Sequence, residues 1–187
     1  IVGDLSVAST GVTRTNNFAS NVFDGTSDGT HNYTINYLTG EVIALGLDWG
    51  GPVVSQFTTG ILGDLGITYD AWHDSLWIQN FYTGRVTEYT LQGHILTSFL
   101  TDSTNYNRSA LAMDVDHTLW YADFNTNTIV HYSTAGEYLG SSDYAGLLFA
   151  FGGEIAVVPE PTPWLIFASF GILVAVAQFR RWLGHVA

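Results

Sequence analysis

Two short stretches bring together the residue types that hold cations. Asp70, His73 and Asp74 crowd one turn, and Asp114, Asp116 and His117 crowd a second. Carboxylate and imidazole at such close range suit a divalent cation. Shared turn geometry accounts for the same crowding, because Asp bonds its own backbone in turns. A third stretch, Asp24-Gly25-Thr26-Ser27-Asp28-Gly29, has the outline of a calcium loop. An EF-hand needs a glutamate where Ile35 stands, so a hairpin loop rich in Asx turns is expected instead. Ser and His occur without a Gly-x-Ser-x-Gly elbow, which leaves a serine hydrolase no anchor. The chain has no cysteine, so neither a disulfide nor a thiolate-held metal is available.

The elements that position these residues repeat. Leu76-Trp77-Ile78-Gln79-Asn80-Phe81 matches Leu119-Trp120-Tyr121-Ala122-Asp123-Phe124 at an offset of 43, and Tyr89, Gly93 and Leu96 fall on Tyr132, Gly136 and Leu139. An earlier copy, Asn36-Tyr37-Leu38-Thr39-Gly40-Glu41-Val42, lies 44 residues before Asn80-Phe81-Tyr82-Thr83-Gly84-Arg85-Val86. Strand-like runs lead each copy, at Asn21–Asp24, Gly66–Asp70 and Leu111–Val115, with a fourth at Gly153–Val158. Gly40, Gly84 and Asn127 fall at one hairpin, where a residue tolerant of positive φ is needed. A second hairpin follows at Gln92-Gly93, at Ala135-Gly136 and at Gly50-Gly51. Each unit therefore predicts four short antiparallel strands, the pattern of a propeller blade. The expected body is an all-β, β-propeller-like array over 1–158, with repeats at about 18–62, 63–107 and 108–150 and a lead strand at 153–158. A two-sheet β-sandwich is the alternative. Three repeats do not close a ring, so residues 1–17 and 141–158 complete a fourth blade, or the array is an open arc or part of a larger ring.

Composition supports a β-rich, soluble body: Gly 20, Tyr 10 and Trp 6 suit strands joined by tight turns. All 17 Asp and Glu precede the C-terminal apolar run, against only Arg14, Arg85 and Arg108, and Lys is absent. With a net charge of −12 the chain repels phosphates, which excludes a nucleic-acid partner.

The C-terminal stretch 159–187 is a separate device. Pro159-Glu160-Pro161 precedes an apolar run from Trp164 to Phe179, broken only by Ser169 and Gln178. A helix over 164–179 covers roughly 24 Å, a little short of a bilayer core of roughly 30 Å. Arg180 and Arg181 snorkel to headgroups, and Trp164 and Trp182 flank the run as interfacial aromatics. The expectation is one transmembrane helix with the Arg pair in the cytoplasm and the body outside; a core helix is the alternative. A body outside the cytoplasm needs an export signal, expected to be cleaved or to lie beyond Ile1.

As a set, Pro-Glu-Pro, apolar helix and terminal Arg pair resemble the PEP-CTERM sorting signal of exported bacterial proteins. That resemblance implies recognition of Pro159, Glu160 and Pro161 by an exosortase-type sorting protease and removal of the helix, an address in the manner of a GPI signal. The family usually ends in a denser basic cluster than Arg180-Arg181. The body repeats are similar to those of the NHL and gluconolactonase-like superfamily, and to PEP-CTERM proteins with phrases such as Phe23 to Tyr33. Gluconolactonase-type propellers hold a metal in the central channel with acidic and amide groups. By that resemblance the lead-strand acids Asp24, Asp70, Asp114 and Glu154 line a channel, with Asp70, Asp114 and Glu154 as candidate ligands of a divalent cation. Otherwise these acids simply end strands and begin turns.

Two functions follow as expectations. The first is a non-enzymatic exported protein of the envelope or extracellular matrix, with a binding or structural body and extracellular polysaccharide as a partner. The second is a metal-dependent propeller hydrolase, lactonase or lyase.

Overall fold

A computed structural model of the chain describes residues 20–50, 52–53, 55–101, 108–123, 126–144 and 152–153. The run Asp4–Ala8, Glu154 and the rest of the fourth lead strand beyond Gly153, and the tail residues Pro159, Glu160, Pro161, Trp164, Arg180, Arg181 and Trp182 lie outside them. Among the described residues no helix is long and apolar enough to cross a membrane.

Among the described residues twelve strands form three four-stranded antiparallel meanders, each in sequence order. The first holds β1 (Val22–Ser27), β2 (His31–Asn36), β3 (Glu41–Gly46) and β4 (Ser55–Thr58). The second holds β5 (Asp64–Asp70), β6 (Ser75–Asn80), β7 (Arg85–Thr90) and β8 (Ile95–Leu100). The third holds β9 (Arg108–Met113), β10 (Thr118–Asp123), β11 (Thr128–Ser133) and β12 (Tyr138–Asp143). Three separate sheets replace the two of a sandwich, and the repeat boundaries read from the sequence contain them.

Alternation along β6 explains how the sheets stack. Its side chains point to opposite faces, and every position is buried. Leu76 and Ile78 join Tyr33, Ile35, Val42, Ala44 and Ile67 in one core cluster, toward the first sheet. Trp77 faces the other way, into a second cluster with Leu111, Met113, Leu119, Tyr121 and Tyr132 of the third sheet. Each such side chain contributes about 1.5–3 kcal/mol on burial. The last strands, β8 and β12, are mostly exposed.

The first strand of each sheet is an edge, and alternate N–H groups of an edge point away from their own ladder. Side chains of neighbouring sheets accept them. Tyr69 N donates to Thr26 Oγ1 at 3.0 Å, and Met113 N to Thr68 Oγ1 at 2.9 Å. One position inward, a single carboxylate collects four amides. Asp24 Oδ2 accepts from Ile67 N at 3.0 Å and Leu111 N at 3.1 Å, and Oδ1 accepts from Gly25 N at 2.9 Å and Gly153 N at 3.2 Å. Gly25, Ile67, Leu111 and Gly153 are the corresponding residues of the four lead segments.

The residues corresponding to Asp24 are Gly66, Ala110 and Gly152, and all are small. A Cβ on Gly66 would stand 3.0 Å from Leu111 Cβ, and one on Gly152 would stand 2.9 Å from Phe23 O and 3.0 Å from Asp24 Oδ1. Ala110 fits with a strained φ of +48° beside a bulge in the β9–β10 ladder. The expected alignment of Asp24 with Asp70 and Asp114 is therefore corrected: one acid, Asp24, takes these amides and leaves room only for small residues opposite, while Glu154 lies outside the described residues.

Turn chemistry fixes the hairpins. Asn36 and Asn80 each accept two backbone N–H bonds, from Leu38 and Thr39 and from Tyr82 and Thr83, and Asp123 accepts one from Thr126. Gly40 and Gly84 have φ of +67° and +66°, and their carbonyls accept from Thr59 N and Thr101 N, as that of Asn127 accepts from Tyr144 N. The register holds, but Asn127 is not among the positive-φ residues, so the third turn reaches the same bond by another path. At the next hairpin Gly93 and Gly136 have φ of +85° and +87°, and the corresponding residue of the first sheet is Trp49, at +57°, not Gly50-Gly51.

Two expectations follow. A Cβ on Gly93 would lie 2.7 Å from the Phe57 ring of the preceding sheet, so Gly93→Val should cost at least about 2 kcal/mol in urea unfolding. Burial pushes the Asp24 carboxyl from 3.8 up to about 7, against the pull of its four N–H donors. Since the folded value exceeds the unfolded one, this group stabilises the fold as pH falls from about 7 toward 4, by about 1.4 kcal/mol per pH unit at most. Asp24→Asn should flatten that slope, and Asp24→Ala, which orphans all four amides, should cost at least about 3 kcal/mol.

Candidate functional site

At the far end of the lead strands the repeat sets three more acids, Asp28, Asp70 and Asp114, each beside an aromatic of the second strand. Tyr33 Oη donates to Asp28 Oδ2 at 2.9 Å, Trp77 Nε1 to Asp70 Oδ2 at 3.2 Å, and Trp120 Nε1 to Asp114 Oδ2 at 3.1 Å. The same acids begin the turns: Thr30 and His31 N–H donate to Asp28, Trp72 N–H to Asp70 and Val115 N–H to Asp114. The expected hairpin loop over Asp24–Gly29 is thus corrected: Asp24 to Ser27 belong to β1, and the Asx turn is confined to residues 28–30. Burial raises the Asp28 carboxyl, but the Thr30, His31 and Tyr33 donors outweigh it and hold it well below the carboxylate range.

A histidine follows each acid by three positions, giving Asp28/His31, Asp70/His73 and Asp114/His117. His31 Nδ1 lies 3.4 Å from Asp28 Oδ2, and His73 Nδ1 lies 3.3 Å from Asp70 Oδ2. His117, at φ +64°, turns instead to the preceding sheet and sets Nε2 2.9 Å from Asp70 Oδ2. Asp70, His73 and His117 thereby offer three ligand atoms within 4.8 Å of one another. Glu88 on β7 completes the group: its Oε1 is 2.9 Å from His73 Nδ1 and accepts from Ser75 Oγ at 2.6 Å. Burial pushes the Asp70 carboxyl up, but His117, Trp72 N–H and Trp77 together bring it below its usual value.

The expected clusters are redistributed by this geometry. Asp74 leaves the histidines and accepts from Tyr69 Oη at 2.9 Å, and Asp116 is exposed and accepts from Thr118 Oγ1. Asp114 is bound within its own sheet, separate from the Asp70 cluster. Glu88 and His31 were missed, although the Asp-x-x-His spacing at 28, 70 and 114 marks the turn that carries His31.

Between the first and second sheets a cleft of about 670 Å³ is lined by Asp28, Thr30, His31, Tyr33, Tyr69, Asp74, Leu91 and Gln92. Its walls offer hydroxyl, carboxylate, amide and imidazole groups. On the turn between β5 and β6 Trp72 is 66% exposed, with its ring centroid 5.8 Å from that of His117.

No family model and no curated relative matches the chain. Solved structures do share its fold. It is similar to a streptogramin B lyase structure at TM-score 0.56 and 10% identity, over 73% of this chain and 45% of the other. It is similar to virginiamycin B lyase of Staphylococcus aureus at TM-score 0.54 and 16% identity, over 72% and 46%. It is similar to glutaminyl cyclase of Myxococcus xanthus at TM-score 0.58 and 12% identity, over 72% and 63%. The chain thus spans less than half the length of the two lyases. At these identities the likeness concerns the fold alone, and the three sheets are blades of a propeller-like all-β body.

Proposed function

We propose that the chain is an exported envelope or extracellular-matrix protein whose propeller-like body binds polysaccharide without catalysing a reaction. The observation that carries the binding role is Trp72, a large apolar ring left exposed on the turn between β5 and β6. An exposed indole suits the apolar face of a sugar ring, and the polar cleft between the first and second sheets offers donors and acceptors for hydroxyls. The charge of −12 favours a neutral polysaccharide over an anionic one.

In this reading 159–187 is the address. Pro159-Glu160-Pro161 is read by an exosortase-type protease, the apolar run 164–179 holds the precursor in the inner membrane, and Arg180 and Arg181 stop it at the cytoplasmic face. A metal-dependent hydrolase, lactonase or lyase is the second reading, and the cluster of Asp70, His73 and His117 favours it.

Trp72→Ala should weaken binding to the producing strain's polysaccharide at least tenfold, about 1.4 kcal/mol, and leave Tm unchanged. Equal binding by wild type and variant removes Trp72 as the platform. Glu160→Ala leaves the helix and the Arg pair intact, so a plain anchor is indifferent to it. In native cells the variant should keep its C-terminal peptide while mature wild type loses it, as read by intact mass. Wild type that keeps 164–187 in the presence of the sorting protease leaves only a membrane anchor.

A further inference from the structure

Asp70 and Glu88 are two carboxylates that the fold all but removes from water, with side chains 0% and 5% exposed. Buried charges require partners. No Lys exists in the chain, and among the described residues the recorded ionic partners of these two acids are His73 and His117. Arg85 instead donates to Ser98, and Arg108 lies over the Tyr121 ring. A site with two buried carboxylates, two imidazoles and neither Lys nor Arg offers the donors that a divalent cation takes.

We infer that Asp70, His73 and His117 form a zinc-class metal site that ties the second blade to the third. The donor set decides the class: two imidazoles and a carboxylate select borderline ions such as Zn²⁺, whereas Ca²⁺ and Mg²⁺ prefer oxygen ligands throughout. Metal–ligand bonds of about 2.0–2.2 Å in a tetrahedron put ligand atoms roughly 3.3–3.5 Å apart. His73 Nδ1 and Asp70 Oδ2 already stand 3.3 Å apart, and the 2.9 Å between His117 Nε2 and Asp70 Oδ2 needs only a small opening.

The surroundings are those of a held ligand. Glu88 Oε1, held by Ser75, faces the same His73 Nδ1 and is placed to take the ion's fourth position, while Trp77 Nε1 and Trp72 N fix the Asp70 carboxylate from outside. Such outer partners orient metal ligands and raise their affinity. Both histidines sit on turns and remain partly open to solvent, at 52% and 28% exposure, so an ion has a route in. Three protein ligands leave a fourth position, for Glu88 Oε1 or for water. The inference stands whether or not the body binds polysaccharide.

The test uses the full chain without a histidine tag. Calorimetric titration with Zn²⁺ should give one site per chain, and Zn²⁺ should raise Tm while Ca²⁺ and Mg²⁺ at equal concentration do not. His73→Ala and His117→Ala should each weaken Zn²⁺ binding at least tenfold, and His31→Ala, in the corresponding turn of the first blade, should leave it unchanged. Imidazole NMR of the wild type needs no variant: Zn²⁺ should shift the His73 and His117 resonances together. No Zn²⁺ binding by the wild type, unchanged affinity in both variants, or shifts confined to other histidines would overturn the site and leave a proton-bridged network alone.

Discussion

Strands at the inner edge of each sheet carry N–H groups that no ladder bond can reach, and the molecule answers this with side chains set one repeat away. Thr26 and Thr68 take the amides of Tyr69 and Met113, and Asp24 takes four at once. An orphaned buried amide costs about 1–3 kcal/mol, so these acceptors decide whether the lead strands stay together. A carboxylate suits the centre because its two oxygens receive four donors. A second acid at the same level would add repulsion in a dry place, and Gly66, Ala110 and Gly152 keep the space clear. The apolar clusters around Trp77 and Ile67 then stack the blades on this core of polar bonds.

Much of the fold was legible because a repeat declares itself by offset. The Leu-Trp pairs at 76 and 119 marked the second strands, and Gly40, Gly84 and Asn127 marked the hairpins that follow. The misreadings share a cause. Asp24 was paired with Asp70 and Asp114 because all three are acids near strand ends, while its true counterparts are small residues with no chemical signal. Trp49 was passed over because a bulky aromatic rarely adopts φ near +57°, and the neighbouring Gly50-Gly51 looked the better turn. The site was legible only by halves: both His-Asp turns could be read, but the bond from His117 to Asp70 spans 47 residues and crosses blades, which no local spacing encodes.

Polar and ionisable side chains concentrate where the lead strands end. There the repeated acids hold an aromatic inward while the turns carry histidines, an exposed Trp72 and the walls of a polar cleft. The rigid part of each turn is the acid, already committed to its own blade. The free part is the histidine, which in the third blade reaches across to the second. Repetition thus supplies the scaffold, and one departure from it supplies the cluster.

Amide hydrogen exchange, resolved by residue, tests the central arrangement most directly. If one carboxylate holds the lead strands, the Ile67, Leu111 and Gly153 amides exchange among the slowest of the chain, and all three speed up together in Asp24→Asn. Exchange of Ile67 and Leu111 at the rate of exposed edge amides such as those of β8 would contradict the account, as would acceleration of one amide without the others.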